Sequence, residues 1–237
     1  ALEFGSGQSL PSVSSSAPIT DYRVHYRQRL EFLENAGCYF VPPTVNRGLY
    51  YAYPRSLSEE AAQLIAGDIA AKIGMWTKVK FTLHPIPYNT IREAIEQLRS
   101  ASSAGMVVFV LNDEPSAYYE VASQLPNWRV KRLTERELSN HFRYFKNGLW
   151  DRRQRCHSAE RGKARWERFG MQNALDVLQQ LDCIPWGTTQ LGPYEAQVAI
   201  DVGHDRRYFA LSLVISRAKE QNPSLWLDSL VIAKLDH

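Results

Sequence analysis

The sequence predicts an α/β fold: a parallel sheet covered on both faces, followed by a separate run of antiparallel strands. Three observations carry this. From Gly48 onward, strand-like and helix-like segments alternate, the order that builds an open parallel sheet with right-handed crossovers. One of the strands, "GMVVFVLND" (Gly105 to Asp113), is a continuous apolar run, as expected when both sheet faces are buried. Near the end, "EAQVAIDVG", "RRYFALSLVIS" and "SLWLDSLVIAKLDH" read as three strands with short connections, hence an antiparallel meander.

Each element has its own warrant. Asp21 to Gly37 sets Val24, Leu30, Phe32 and Leu33 among many charges and reads as a short helix or lead-in. "LYYAY" (Leu49 to Tyr53) is strand-like and ends at Pro54. Ser56 or Ser58 then caps a helix from about Glu59 to Ile73, with Ala61, Leu64, Ile65, Ile69 and Ile73 on one stripe. "KVKFTLHPI" (Lys78 to Ile86) alternates with period two and is expected to stop at prolines. Asn89 or Thr90 caps the next helix, whose face carries Ile91, Ile95 and Leu98. After the apolar strand come a helix around Ser116 to Gln124 and the strand "WRVKRLT". Residues Leu138 to Arg168 break the pattern, being dense in Arg, Lys and aromatics. "GMQNALDVLQQLDCIPW" follows as a helix with Ala174, Leu175, Val177, Leu178 and Leu181 apolar, stopped by Pro185.

Composition bounds the class. The 237 residues suit one large domain, or one domain plus part of another. Hydrophobic content of 44% and charged content of 22% are ordinary for a globular protein. No apolar run approaches the ~18 residues of a membrane helix, and no signal-peptide pattern is present. The opening "ALEFGSGQ" resembles vector-encoded sequence, and "SLPSVSSSAP" is Ser/Pro-rich, so residues 1–20 are expected to be tag and flexible linker. Cys38, Cys156 and Cys183 show neither zinc spacing nor a disulfide framework and read as reduced thiols of a cytoplasmic protein. His84, His141, His157 and His204 lack metal-ligand spacing and read as surface or turn histidines. Nothing matches G-x-G-x-x-G after a strand, a P-loop or a G-x-S-x-G elbow, which argues against dinucleotide, P-loop and hydrolase chemistry.

An α/β sheet, a helix ending Ile184-Pro185-Trp186, a spacer and a strand reading Ile200-Asp201-Val202: this order resembles the Argonaute/PIWI family. There a Rossmann-like MID domain ends in a helix of the type N-x-A-L-x-x-x-x-K-L-G-G-I-P-W. It leads into a PIWI domain, an RNase H-like fold whose first strand carries G-I-D-V. "NALDVLQQLDCIPW" and "VAIDVGHDRRYFALSL" match that frame in order and approximate spacing, over roughly Gly48 to His237, and prokaryotic members look closer. The resemblance implies a lead-in at 21–47, a MID domain with a parallel sheet at 48–186, and the first antiparallel strands of PIWI at 187–237.

What the resemblance implies about sites is uneven. In the family the aspartate on the first PIWI strand helps hold two divalent metals, which clamp the attacking and leaving oxygens of a phosphodiester. Asp201 takes that position; otherwise it is a strand-end aspartate facing solvent or capping the turn at Gly203. Asp205 and Asp236 read as solvated turn and terminus residues. The fold needs further strands to supply the other acids, so this chain is expected to need no cofactor and not to cut nucleic acid. A longer parent could be a guided endonuclease using Mg or Mn. The family MID domain anchors the 5′ end of a guide through a Tyr and a Lys on one helix, a Gln beyond it, and a Lys on the last helix. Here Tyr118 or Tyr119 stands for the Tyr, Ala122 for its Lys, Lys131 and Arg132 lie in the Gln region, and Gln180 replaces the last Lys. Asn173 matches, while Asp182 and Cys183 replace the paired glycines. That pocket reads as degraded or rebuilt, which fits a catalytically silent guide binder or one that prefers a 5′ hydroxyl.

A replacement source of charge precedes the last helix. Lys146, Arg152, Arg153, Arg155, Arg161, Lys163, Arg165 and Arg168 interleave with Phe145, Trp150, His157 and Trp166. Basic side chains release counterions from phosphates and aromatic faces accept stacked bases. The alternative is a solvated helix face laced with i,i+4 ion pairs. The expected partners are a single-stranded RNA or DNA guide and its target, in defence against invading nucleic acid. A MID-like scaffold that docks a helicase or nuclease without a guide, and a small-molecule enzyme, are the competing readings.

Overall fold

The computed structural model describes residues 1–11, 19–101, 104–188, 196–202, 208–216 and 225–234. Two compact units emerge, one over Leu2–Gly187 and one over Thr188–His237.

The first unit opens with β1 (Leu2–Glu3), a 3-10 turn (Gly5–Gly7) and β2 (Ser9–Leu10), an antiparallel pair. Helix α1 (Ile19–Ala36) follows. Then come β3 (Gly48–Pro54), α2 (Glu59–Thr77), β4 (Thr82–Tyr88), α3 (Ile91–Arg99), β5 (Met106–Leu111), α4 (Pro115–Gln124) and β6 (Arg129–Thr134). The strands form one sheet of order β4-β3-β5-β6, and every pairing is parallel. The predicted α/β sheet is therefore present. Its helix starts have side-chain caps: Ser58 Oγ accepts from Ala61 N at 3.3 Å, and Thr90 Oγ1 accepts from Glu93 N at 3.2 Å. Of each pair of candidate caps, Ser58 and Thr90 serve.

Strand β5 shows why the apolar run is continuous. Met106, Val108 and Val110 enter one core, with α2 and the later helices. Val107, Phe109 and Leu111 enter a second core, with Ile95 and Leu98 of α3 and Val121 of α4. Period-two alternation thus feeds two covers, so no position is left for a polar residue. On α2 the predicted stripe holds, and the helix runs four residues past Ile73 to bury Trp76 and Thr77.

Beyond β6 the chain makes α5 (Glu135–Asn147), β7 (Leu149–Asp151), β8 (Cys156–Ser158) and α6 (Ala159–Gln180). The expected terminal helix begins earlier than its apolar run, because Ser158 Oγ caps it and Trp166 and Phe169 are buried. Trp166 Nε1 donates to Asp68 Oδ2 of α2 at 2.6 Å, tethering α6 to the layer below. The approach of α6 to the end of α5 is close. A Cβ on Gly162 would lie 2.0 Å from the Tyr144 carbonyl oxygen and 2.9 Å from Gly148 Cα, and Gly148 itself has φ +75°. β9 (Gly187–Thr188) is the short strand at which this unit closes.

The second unit contains β10 (Ala196–Val202), β11 (Tyr208–Ser216) and β12 (Leu225–Lys234). They pair β10-β11-β12, antiparallel throughout, as a sheet of their own. The meander is as predicted and adds nothing to the parallel sheet.

Three readings change. The strand expected over Lys78 to Ile86 and to stop at prolines is β4, which begins at Thr82 and runs through Pro85 and Pro87 to Tyr88; β4 is an edge of the sheet, where a missing N–H is tolerated. The segment over Asp21 to Gly37 is a full helix, and Val24, expected on its apolar side, is 51% exposed while Leu30 and Leu33 are buried. The opening residues, expected to stand apart as a tag, pack on the fold. Phe4 is 2% exposed, with its ring centroid 5.4 Å from that of Phe32 and 6.2 Å from that of Trp186. A large aromatic beside an apolar crevice is buried whatever its origin, since its transfer from water favours that. No helix among the described residues is long and apolar enough to cross a membrane.

Phe4→Ala is expected to lower unfolding free energy by about 3 kcal/mol, the scale for emptying a buried aromatic site; urea titration checks it. Gly162→Ala is expected to cost about 2 kcal/mol through overpacking at the α5–α6 contact. An unchanged urea midpoint for Gly162→Ala would mean that the two helices separate without loss.

Candidate nucleic-acid interface

The basic segment folds as helix, hairpin, helix, and one buried carboxylate organises its turn. Asp151, at the end of β7, is buried. Its Oδ1 accepts from Arg153 N at 2.8 Å and from Gln154 N at 3.4 Å, and its Oδ2 pairs with Arg161 Nη2 at 3.1 Å. Arg155 closes the turn in the left-handed region at φ +51°. The tip side chains Arg152, Arg153 and Arg155 are exposed.

Between α5 and α6 lies a groove of about 500 Å³ lined by His141, Leu149, Arg161, Arg165, Arg168 and Gln172, with Phe169 and Ala164 in its wall. The three arginines sit at i, i+4 and i+7 of α6, so they form one row on the helix. Arg161 is held by Asp151, and the Arg165 guanidinium lies 4.5 Å over the Tyr144 ring. Cation–π stacking orients Arg165 without neutralising it. The His141 ring lies flat on Phe169, with centroids 4.1 Å apart and planes 9° apart. Its Nδ1 is buried with no hydrogen-bond partner. Burial, then the charge of Arg165, push its pKa below the usual histidine value, with Glu137 opposing. A row of guanidinium groups over a neutral imidazole is chemically suited to phosphate oxygens.

The other proposed contacts are dispersed. Lys146 bonds Glu60 of α2 and sits 5.4 Å over the Phe142 ring. Lys163 pairs with Glu167 at 4.0 Å, the i,i+4 arrangement of the solvated-face alternative. Lys131 bonds Asp176 of α6. Arg132 Nη2 donates to the Asn112 carbonyl at 3.3 Å, while its Nε is buried without a partner. Asn173 is buried and gives its amide to the Phe169 carbonyl at 2.8 Å. The Gln180 carbonyl accepts from Arg129, which also holds Asp182 Oδ2 at 2.5 Å and so caps the negative end of α6. Tyr118 packs against the α3–α4 core, whereas Tyr119 is 70% exposed on α4. Of the residues singled out by sequence, Arg161, Arg165 and Arg168 converge on the groove. His141, read from the sequence as a surface or turn histidine, is instead half-buried within α5 because its ring packs on Phe169, and Gln172 was not foreseen. The Arg161-Arg165-Arg168 spacing was a usable signal; the partner helix that brings His141 opposite was not visible.

Asp201 lies in β10 opposite Ala210 of β11, which in turn faces Ile232 of β12. The register therefore sets no second carboxylate beside it in the described strands, and no group of three or more His, Cys, Asp or Glu suited to a metal occurs among the described residues. A two-metal centre needs clustered acids, and this donor set does not fit one. The turn at Gly203, with His204 and Asp205, and the terminal Asp236 lie outside the described residues.

The lowered pKa of His141 ties stability to pH. Between that depressed value and 6.5 the unfolded chain binds a proton that the folded chain does not, so stability falls as pH drops through this window. Thermal melts at pH 7.5 and 5.5 are expected to show a smaller loss in His141→Gln than in the parent. Equal losses would show that His141 does not contribute. The parallel subtraction removes the contribution of His25, whose pKa is also lowered.

No family model and no curated protein matches the chain. Solved structures do. The Aquifex Argonaute crystal structure with externally bound siRNA matches at TM-score 0.52 and 13% identity, over 91% of this chain and 29% of that one. A second structure of Aquifex aeolicus Argonaute matches at TM-score 0.48 and 16% identity, over 92% of this chain and 30% of that one. The chain spans less than a third of the length of these Argonautes. At such identity the first likeness speaks to fold alone, and the fold is Argonaute-like: mixed α/β with a four-stranded parallel sheet and a separate antiparallel one.

Proposed function

We propose that this chain is the guide-binding part of an Argonaute-type protein: a MID domain over 48–186, followed by the start of a PIWI domain. It holds the 5′ end of a short single strand and presents that strand for pairing with invading DNA or RNA. The observation that carries the reading is the arginine row of α6 lining the α5–α6 groove, within an Argonaute-like fold. Guanidinium groups recognise phosphate oxygens through paired N–H donors, while the sequence of a guided target is read by base pairing. The siRNA in the solved Argonaute structure supports a nucleic-acid ligand of the same class. Asp201 belongs in this reading to the acid set of a longer parent, completed by residues from elsewhere.

The test is binding of labelled single strands, RNA and DNA, bearing 5′-phosphate or 5′-hydroxyl ends, at several salt concentrations. Arg165→Ala with Arg168→Ala spares the Asp151–Arg161 pair and is expected to weaken binding at least about tenfold. It is also expected to lower the slope of log affinity against log salt by roughly 1.4, the share of two single-strand phosphate contacts. A difference between the two 5′ ends supports end anchoring. Absence of binding by the parent at low salt would overturn the guide-binding role and favour the scaffold reading.

A further inference from the structure

The β7–β8 hairpin carries an aromatic face that the groove does not use. Leu149 lines the groove and Asp151 bonds Arg161, so these alternate residues of β7 face one side. Trp150, between them, projects from the other side. It stands directly opposite His157 in register, with ring centroids 5.4 Å apart and planes at 74°. The indole is nevertheless 53% exposed. The two rings meet at a steep angle and are not stacked, and more than half of the tryptophan stays accessible to a flat partner.

The charge around this face is one-sided. Arg152, Arg153 and Arg155 occupy the turn beside Trp150, and the carboxylate next to it in the chain, Asp151, is buried and already committed to Arg161 and two backbone amides. Among the described residues no ion pair engages the three tip arginines. The tip is therefore a cationic turn held rigid from within, with one wide aromatic face beside it. A flat π-system attached to a polyanion matches both features: the base stacks on the indole and the flanking phosphates meet the arginines. An anionic lipid surface would match the charge, but one indole braced by a polar histidine is a single-base platform and not an apolar patch for acyl chains.

We infer that the β7–β8 hairpin is a base-stacking site, in which Trp150 takes one unpaired nucleobase while Arg152, Arg153 and Arg155 hold the adjoining phosphates. The inference rests on the nucleic-acid-binding role proposed above and adds a second contact to it, distinct from the arginine groove.

The experiment uses the whole chain and a set of single strands, each with 2-aminopurine at a different position. Binding is expected to change the fluorescence of one position through stacking, and that change is expected to vanish in Trp150→Ala and to persist in Trp150→Tyr. Trp150→Ala is expected to weaken binding about tenfold, within the range of one lost base–aromatic stack. Replacing the responsive base with an abasic unit should then cost the parent the same factor and cost Trp150→Ala nothing further. If Trp150→Ala binds as tightly as the parent with an unchanged fluorescence pattern, the stacking site is overturned while the guide-binding role stands. If the parent binds no strand at low salt, the guide-binding role itself falls. Pelleting with anionic phosphatidylserine vesicles that depends on Trp150, without any 2-aminopurine response, would overturn the assignment in favour of a lipid surface.

Discussion

The contact on which the basic face depends is made where there is no side chain. At Gly162 the first turns of α6 touch the Tyr144 carbonyl, at a distance that any Cβ would forbid. Helices separated by ordinary side chains lie about 8–10 Å apart. Here the end of one and the start of the next meet backbone to backbone, and Gly148 in its left-handed conformation turns the chain out of α5. The residues between have only enough length for a tight hairpin. Because α6 starts so near α5, its arginine row borders a groove shared with His141 and Leu149, with Arg161 and Arg168 still exposed.

Carboxylates decide which of the many cations remain available. Lys131, Lys146 and Lys163 each have an acidic partner, on α6, on α2 and one turn along α6 respectively. Arg129 is engaged at the end of α6, where its charge complements the helix carbonyls. Asp151 takes Arg161 but is itself fully used by the turn. Arg165 has an aromatic ring in place of an acid. A net charge of +3 over the whole chain conceals this arrangement, in which these three lysines are paired with acids while Arg152, Arg153, Arg155, Arg165 and Arg168 carry no ion pair among the described residues and stand at the hairpin and groove.

Much of the scaffold was legible because its signals are local. The continuous apolar run of β5, the stripe of α2, the cap sites at Ser56 or Ser58 and at Asn89 or Thr90, and the antiparallel reading of the final strands follow from periodicity and from side chains that satisfy nearby amides; which of each cap pair serves was decided by the fold. The packing of Phe4 was illegible for the opposite reason. Nothing in "ALEFGSGQ" marks a partner, and the crevice that accepts the ring is assembled by Phe32 and Trp186 from distant parts of the chain. The start of α6 was also hidden, since its apolar period is masked by arginines until Phe169, while its cap at Ser158 and its tether from Trp166 to Asp68 are tertiary facts.

The amino-acid sequence by itself determined the order of strands and helices, the double burial of the central strand, and the concentration of arginine and aromatic residues before the last helix. These are properties of neighbours in the chain, fixed by hydrogen-bond periodicity and by which side chains leave water. Tertiary structure alone decided which cations kept their charge unopposed, that His141 lies flat on Phe169 as a neutral ring, and that Trp150 turns away from the groove. Those outcomes depend on distances between residues far apart or on opposite strands, and electrostatic and stacking energies are set by distance and orientation, which no spacing along the chain records.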